Sequence, residues 1–378
     1  MTEPLGLYFH IPFCRSRCRY CGFYSTAAAP GDRFVTALLM EMERYGRDME
    51  GRLVDTVYLG GGTPSLLSES QLARIMGGVF RYFHVADGAE ITMEMNPCDM
   101  TDAYLYHAGT LGINRLSVGV QAKQDRLLSA IGRLHSADEA ERAVRRAFRM
   151  GFHNISADLM YELPGQSISD FETSLRWAMH LPITHLSVYS LILEEGTPFF
   201  QMDAEGRLPR PSEKESWAMY QAMCRIPRHY GFTRYEISSF ARNGFVSRHN
   251  CKYWQLAPYI GMGPAACSRM GRKRWKNLPG TRRYERALLM GEPAPGDVEA
   301  LTEAEEMEEY CFLNLRMAEG IRLSEFQKRY GSALDVWYGE ETAELLERGL
   351  LKEDGGRLFL TSRGMALGNY VFEKFLRT

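Results

Sequence analysis

The sequence predicts an α/β protein: a partial (β/α)6-type barrel followed by a small C-terminal helical, winged-helix-like domain. Three observations predict it. Six short runs rich in Val, Ile, Thr and Tyr alternate with segments of helical periodicity. Those runs are apolar on both sides of the pleat, as in a parallel sheet covered on both faces. The chain then closes with helices and a hairpin signal.

In order, the strands are LGLYFHI (5–11), DTVYLGG (55–61), EITMEMN (90–96), NRLSVGV (114–120), NISADLMY (154–161) and THLSVYSL (184–191). Helical segments between them include residues 33–49 and 136–151. Six such units favour a barrel over a flat doubly wound sheet. A helical stretch over 212–230 leads to another strand-like run, FTRYEISSF (232–240), and GEPAPGD (291–297) reads as a linker. From 302 the text is helical, and GLLKEDGGRLFLT (349–361) places two strands around Asp354-Gly355-Gly356. The expected division is a barrel core over 1–240, a middle region over 241–297 and a cover domain over 298–378.

Composition narrows the function. The 378 residues carry 45 Lys+Arg against 47 Asp+Glu, a net charge of −2, so no global field attracts nucleic acid or an anionic membrane. Winged helices often bind DNA, but residues 301–378 hold 10 basic and 15 acidic residues, a net of −5. The N-terminal text is neither a signal nor a transit peptide, and no apolar run approaches a membrane span. A cytoplasmic location is expected, where the eight cysteines stay reduced.

Cys14, Cys18 and Cys21 lie in HIPFCRSRCRYCGFYS (10–25), spaced C-x3-C-x2-C at the exit of the first strand. Clustered thiols in a reduced chain are metal ligands more often than disulfides. Zinc takes four N/S ligands in a closed site, and no second C-x2-C exists here. Three thiolates instead suit a 4Fe–4S cluster with one iron left open. Gly60-Gly61-Gly62-Thr63-Pro64 follows the second strand, where glycines let backbone approach a ligand and offer N–H donors. Glu94, Gln121 and Asp158 fall in or at the ends of strands, on the rim where barrels bind ligands, and Arg133 follows in IGRLHS.

Together these motifs resemble the radical S-adenosylmethionine (SAM) superfamily, and over nearly the whole chain its oxygen-independent coproporphyrinogen oxidase branch. The resemblance implies that SAM binds the open iron and that Tyr8, Tyr20, Gly61, Gly62, Thr63, Glu94, Gln121, Arg133 and Asp158 contact it. Glu162 departs from the branch, which usually has Gly before Leu-Pro-Gly.

Two differences point away from the oxidases in that branch. Phe23 stands where they have a fourth cysteine, and only 13 residues precede Cys14. Arg248-His249-Asn250-Cys251-Lys252-Tyr253-Trp254 contains HNxxYW, and it resembles the motif of HemW-like haem chaperones. That resemblance implies haem as a ligand, transfer to an acceptor protein and a cluster-dependent homodimer. An imidazole can ligate haem iron, which makes His249 the candidate contact, and Cys251 is a further possible one. A His-Asn turn with Trp254 in the core is the structural alternative. Residues 268–286 hold eight Lys or Arg and one Glu, which would suit haem propionates or a solvated loop equally. Other radical chemistry, on coproporphyrinogen or on haem itself, is the rival function.

Overall fold

The computed structural model describes residues 3–377. Six strands, β1 (Leu5–Ile11), β2 (Leu53–Gly61), β3 (His84–Met95), β4 (Arg115–Gln121), β5 (Ile155–Tyr161) and β6 (His185–Ser190), run parallel and side by side in chain order. Nearly every residue of β1 and β4 is buried, as apolar runs covered on both faces require. Helices Asp32–Asp48, Glu69–Tyr82, Asp102–Thr110, Ala137–Arg149, Ile168–Met179 and Glu213–His229 connect and cover them. Their starts are set locally. Ser68 with Gln71, Ser136 with Glu139, Ser167 with Asp170 and Ser212 with Glu215 each form a reciprocal capping box.

β1 and β6 are not neighbours, so the arc is an open, partial barrel whose edges are extended. The run expected as one strand over 232–240 breaks into β7 (Thr233–Arg234) and β8 (Ser239–Ala241). The Arg234 guanidinium holds that break by donating to the carbonyls of Glu236 and Ile237. β8 pairs antiparallel with β6. At the other edge β9 (Tyr259–Met262) lies parallel to β1. β10 (Cys267–Met270), β11 (Lys273–Asn277) and β12 (Gly296–Ala300) follow antiparallel. The segment read as a linker therefore runs into a strand of the main sheet.

A second core, built on Met307, Tyr310, Cys311, Phe326, Leu345 and Leu358, forms the C-terminal domain. Helices Glu303–Arg316, Leu323–Tyr330 and Leu334–Glu347 precede a sheet of β13 (Ile321–Arg322), β14 (Leu351–Asp354) and β15 (Arg357–Leu360), in the order β13-β15-β14. Gly355 and Gly356 both take positive φ, as a two-residue hairpin turn demands. Leu256 from the barrel side joins this core, and Arg269 reaches Glu309 at 2.5 Å across the seam. No helix among the described residues is long and apolar enough to cross a membrane.

Candidate cluster and ligand site

The cysteine loop leaves β1 at the carboxyl end of the parallel strands and returns to its own base. Thr26 N–H donates to the Pro12 carbonyl at 2.7 Å, and Cys14 N–H donates to the Thr26 carbonyl at 3.0 Å. Cys14, Cys18 and Cys21 are free, half-buried thiols on that loop. Burial pushes the Cys21 thiol up, and the neighbouring Cys18 and Cys14 add to the shift. Among the described residues no three His, Cys, Asp or Glu groups sit at single-ion spacing. Zinc needs its thiolates about 2.3 Å from one centre, whereas a cubane spreads three cysteines over three irons. The donor set fits the cluster.

The glycine loop docks on this loop. Gly62 N–H donates to the Ile11 carbonyl at 2.9 Å and Thr63 N–H to the Phe13 carbonyl at 2.7 Å, while Gly61 N–H donates to Glu94 Oε2 at 3.1 Å. The expected free N–H donors are therefore already spent. Thr63 Oγ1 approaches Cys14 Sγ at 3.6 Å. A Cβ on Gly62 would fall 2.7 Å from the Phe13 carbonyl oxygen, so only glycine fits there.

The rim residues converge. Glu94 accepts from Tyr58 Oη at 2.9 Å as well as from Gly61. Burial raises its carboxyl to about 7, and the Asp158 charge adds to this against those two donors. Gln121 ends β4 with φ 61°, and a Cβ on Gly119 would lie 2.9 Å from Gln121 Nε2 and 3.0 Å from Arg133 Nη2. Arg133 Nη2 donates to Tyr20 Oη at 3.4 Å, which joins the strand rim to the cysteine loop. Burial pushes the Tyr20 phenol up to about 12 against the pull of Arg133. Asp158 sits deeper. Ser117 Oγ donates to it at 2.9 Å and Ser156 Oγ at 3.1 Å, with Ser187 as a third donor, and burial still raises its carboxyl.

Several side chains here carry no sequence signal. His10 Nε2 is 2.9 Å from the Tyr24 carbonyl, which can only accept, so Nε2 carries the proton. Burial lowers this imidazole's pKa, so Nδ1 is an acceptor and Tyr8 Oη donates to it at 3.0 Å. Behind Asp158, Ser156 accepts from His185 Nδ1 at 2.8 Å, and Tyr235 Oη donates to His185 Nε2 at 2.8 Å. A buried hydrogen-bonded line thus runs from the mouth toward the C-terminal seam.

His249 lies elsewhere. It is 0% exposed on the short helix Arg248–Trp254, at the amino-terminal ends of the strands. Nδ1 bonds Thr56 Oγ1 at 2.9 Å and Nε2 bonds Tyr253 Oη at 2.8 Å. Its ring stacks on Tyr58 with centroids 5.2 Å apart. Burial, with Lys252 and Arg115 nearby, lowers it to about 3. Both ring nitrogens of His249, the expected haem contact, are bonded within the protein, and the side chain is buried. Trp254 is half-buried, with the Arg316 guanidinium 4.2 Å above its ring.

Comparison with known proteins agrees with this geometry. The Radical SAM superfamily model matches residues 8–178 and the HemN C-terminal domain model residues 301–367. The chain is 37% identical to the haem chaperone HemW of Bacillus subtilis over 98% of each chain. It is 35% identical to that of Lactococcus lactis, over 100% of this chain and 98% of the relative. The chain belongs to the HemW family of the radical SAM superfamily. Within the wider fold, the coproporphyrinogen III oxidase HemN of Escherichia coli superposes with a TM-score of 0.86, covering 99% of this chain and 90% of that one, at 23% identity. Radical SAM membership brings a 4Fe–4S cluster and SAM, and the three free thiols on the loop after β1 suit the cluster.

Proposed function

We propose that this protein is a haem chaperone: it binds a 4Fe–4S cluster, SAM and haem, and hands the haem to an acceptor protein. Kinship along the whole chain with HemW haem chaperones carries this reading. Phe23, 65% exposed where the oxidases of the resemblance have a cysteine, supports it against coproporphyrinogen oxidation.

In this reading Cys14, Cys18 and Cys21 hold three irons. Bound at the fourth iron, SAM would supply a reductively cleavable sulfonium. The chain's own residues bind and orient it. Gly61 and Gly62 present carbonyls to its ammonium, and Thr63 braces the turn against Cys14. Glu94 accepts from a ribose hydroxyl. Tyr8, held by His10, and Tyr20, held by Arg133, flank the ligand. Gln121 and Asp158 supply further polar contacts, Asp158 fixed by its three serines. Thiols that must stay reduced for the cluster support a cytoplasmic location. A homodimer that depends on the cluster should appear in light scattering as a doubled mass with iron loaded and a monomer mass without it.

An anaerobic haemin titration of the cluster-loaded protein tests the function. A saturable, one-to-one Soret band that passes to an apo-haemoprotein is expected. No specific haem binding, together with carbon dioxide release from coproporphyrinogen under reductant, would instead make it an oxidase.

A further inference from the structure

Ser117 of β4, Ser156 and Asp158 of β5 and His185 of β6 are polar positions in neighbouring strands, with Ser156 paired in register to both Ser117 and His185. Ser156 and His185 are 0% exposed. They join Asp158 to Tyr235 end to end. Ser247 N–H donates to Tyr235 Oη at 3.3 Å, Tyr235 Oη to His185 Nε2 at 2.8 Å, His185 Nδ1 to Ser156 Oγ at 2.8 Å and Ser156 Oγ to Asp158 Oδ1 at 3.1 Å. Every donor points toward Asp158, the arrangement an ionised carboxylate imposes because it can only accept. A protonated Asp158 imposes the opposite one. Its O–H donates to Ser156, Ser156 to His185 Nδ1, and His185 Nε2–H to Tyr235 Oη, which then donates outward. Hydroxyls and a neutral imidazole each donate and accept, so both arrangements are complete.

The two ends of this line have different surroundings. Tyr235 is half-buried and lines a cavity of about 630 Å³ at the seam between barrel and C-terminal domain, whose walls include the exposed Arg248 and Glu319. Water reaches that end. Asp158 is half-buried at the mouth, and a ligand seated there closes off its exposed side. SAM carries a sulfonium and an ammonium against one carboxylate, a net positive charge. It arrives beside Glu94 and Asp158, two carboxyls whose proton affinity burial has raised. A cation favours their ionised forms, so its binding displaces a proton. With the mouth filled, that proton needs another way out.

We propose that Ser156, His185 and Tyr235 are a proton exit for the SAM site: a proton shed by Asp158 as SAM binds leaves through them to the seam cavity, and one returns along them when SAM departs. This rests on the reading that SAM binds at the mouth. The Asp158 O–H bond breaks and an O–H bond to Ser156 forms. The Ser156 proton passes to His185 Nδ1, the Nε2 proton to Tyr235, and the Tyr235 proton to water in the cavity. No electron moves, and only Asp158 changes its charge. The imidazole relays without becoming a cation, a state that burial and Arg115 disfavour. Arg115 also faces Asp158 and Tyr235, and Cys251 and Glu236 face Tyr235, so the cation lies along the inner part of the line and the acid at its outer end. None of the three relay residues touches SAM in this scheme; they position and discharge Asp158.

Rapid mixing of the cluster-loaded protein with SAM in weak buffer containing a pH indicator tests this, with SAM affinity read by calorimetry on the same samples. The wild type should release its proton as fast as SAM binds. Tyr235→Phe keeps the ring and removes only the outermost hydroxyl. It should hold SAM affinity while slowing proton release by about tenfold or more, the effect of at least about 1.4 kcal/mol on the barrier. Free imidazole, small enough to enter the seam cavity, should restore the rate in Tyr235→Phe and leave the wild type unchanged. His185→Gln keeps a donor and an acceptor but has no ring to relay through, and it should slow release in the same way; it decides if Tyr235→Phe does not fold. Unchanged release in the variants would overturn the exit and send the proton out through the mouth. So would SAM binding that releases no proton, or a Tyr235→Phe protein whose affinity falls with its release rate. A wild type that binds no SAM would sink the reading of the mouth itself.

Discussion

The mouth and the floor of the barrel both carry sequence motifs, yet they spend their polar groups differently. At the mouth, Gln121 and Glu162 hold left-handed backbone, three thiols stand unpaired, and half-buried Glu94, near the Asp158 charge, has its carboxyl raised to about 7. Strained backbone, free thiols and a carboxyl with a raised pKa, gathered in one place, mark a candidate ligand site. At the floor, His249 has both nitrogens bonded, and its backbone N–H donates to Glu90 Oε1 at 3.0 Å. A motif residue whose every group is satisfied is holding structure. The two ends therefore answer to different perturbations.

The sharpest contrast comes from replacing single motif residues. Cys14→Ala, Cys18→Ala or Cys21→Ala should abolish cluster loading, read as loss of bound iron and of the visible charge-transfer absorption, while the unfolding midpoint hardly moves. A cluster that survives any one of these changes would break the assignment of the loop. His249→Ala should do the reverse. It strands Thr56 and Tyr253 and leaves a void, at a cost of about 3–5 kcal/mol in urea unfolding. Cluster loading of the folded fraction stays intact. His249→Gln, which keeps two polar atoms, should recover part of the loss. Unchanged stability in His249→Ala would return His249 to the ligand-binding side of the comparison.

The same contrast governs what was legible in the sequence. The six parallel strands and the cysteine loop announce themselves because periodicity and spacing are local. β9 to β12 do not: KRWKN in β11 is neither alternating nor apolar, and only pairing with its neighbours makes it a strand. The serines that hold Asp158 are equally silent. Ser117 pairs in register with Ser156, and Asp158 with Ser187, so the cradle exists only across three strands. One polar residue recurring in each of several neighbouring apolar strands is the faint signal that could have found it. His249 is a related case, since a motif shows that a residue matters without showing which way its ring points. The glycine turn is visible in the local sequence, but its N–H groups go to Ile11, Phe13 and Glu94, contacts no local pattern encodes.

A titration separates the two ends further. The free Glu94 carboxyl keeps its proton up to about pH 7, because burial disfavours the charge. A ribose hydroxyl donates to the ionised form, so SAM binding below that pH must first expel the proton. SAM affinity should therefore rise with pH up to about 7, by at most about tenfold per unit, and level off above it. Calorimetry of the cluster-loaded protein between pH 6 and 8 checks this, and Glu94→Gln should flatten the profile while weakening binding. A wild-type affinity that falls as pH rises through this range would remove Glu94 from the contact set. His249, lowered to about 3, stays neutral throughout and contributes nothing to the same curve.

The smallest effect concerns Glu162. It follows β5 with φ 62°, beside Gln121 at φ 61° on the end of β4. For a residue with a Cβ this conformation costs about 1–2 kcal/mol, whereas glycine adopts it freely but loses about 0.5–1 kcal/mol more in ordering its chain. The two terms nearly offset. Glu162→Gly should raise stability by no more than about 1 kcal/mol in urea unfolding, with SAM affinity unchanged if the carboxylate plays no part in the site. A gain in stability with a loss of SAM affinity would mean that the strained turn is kept for its charge, and would add Glu162 to the mouth's ligand-facing groups.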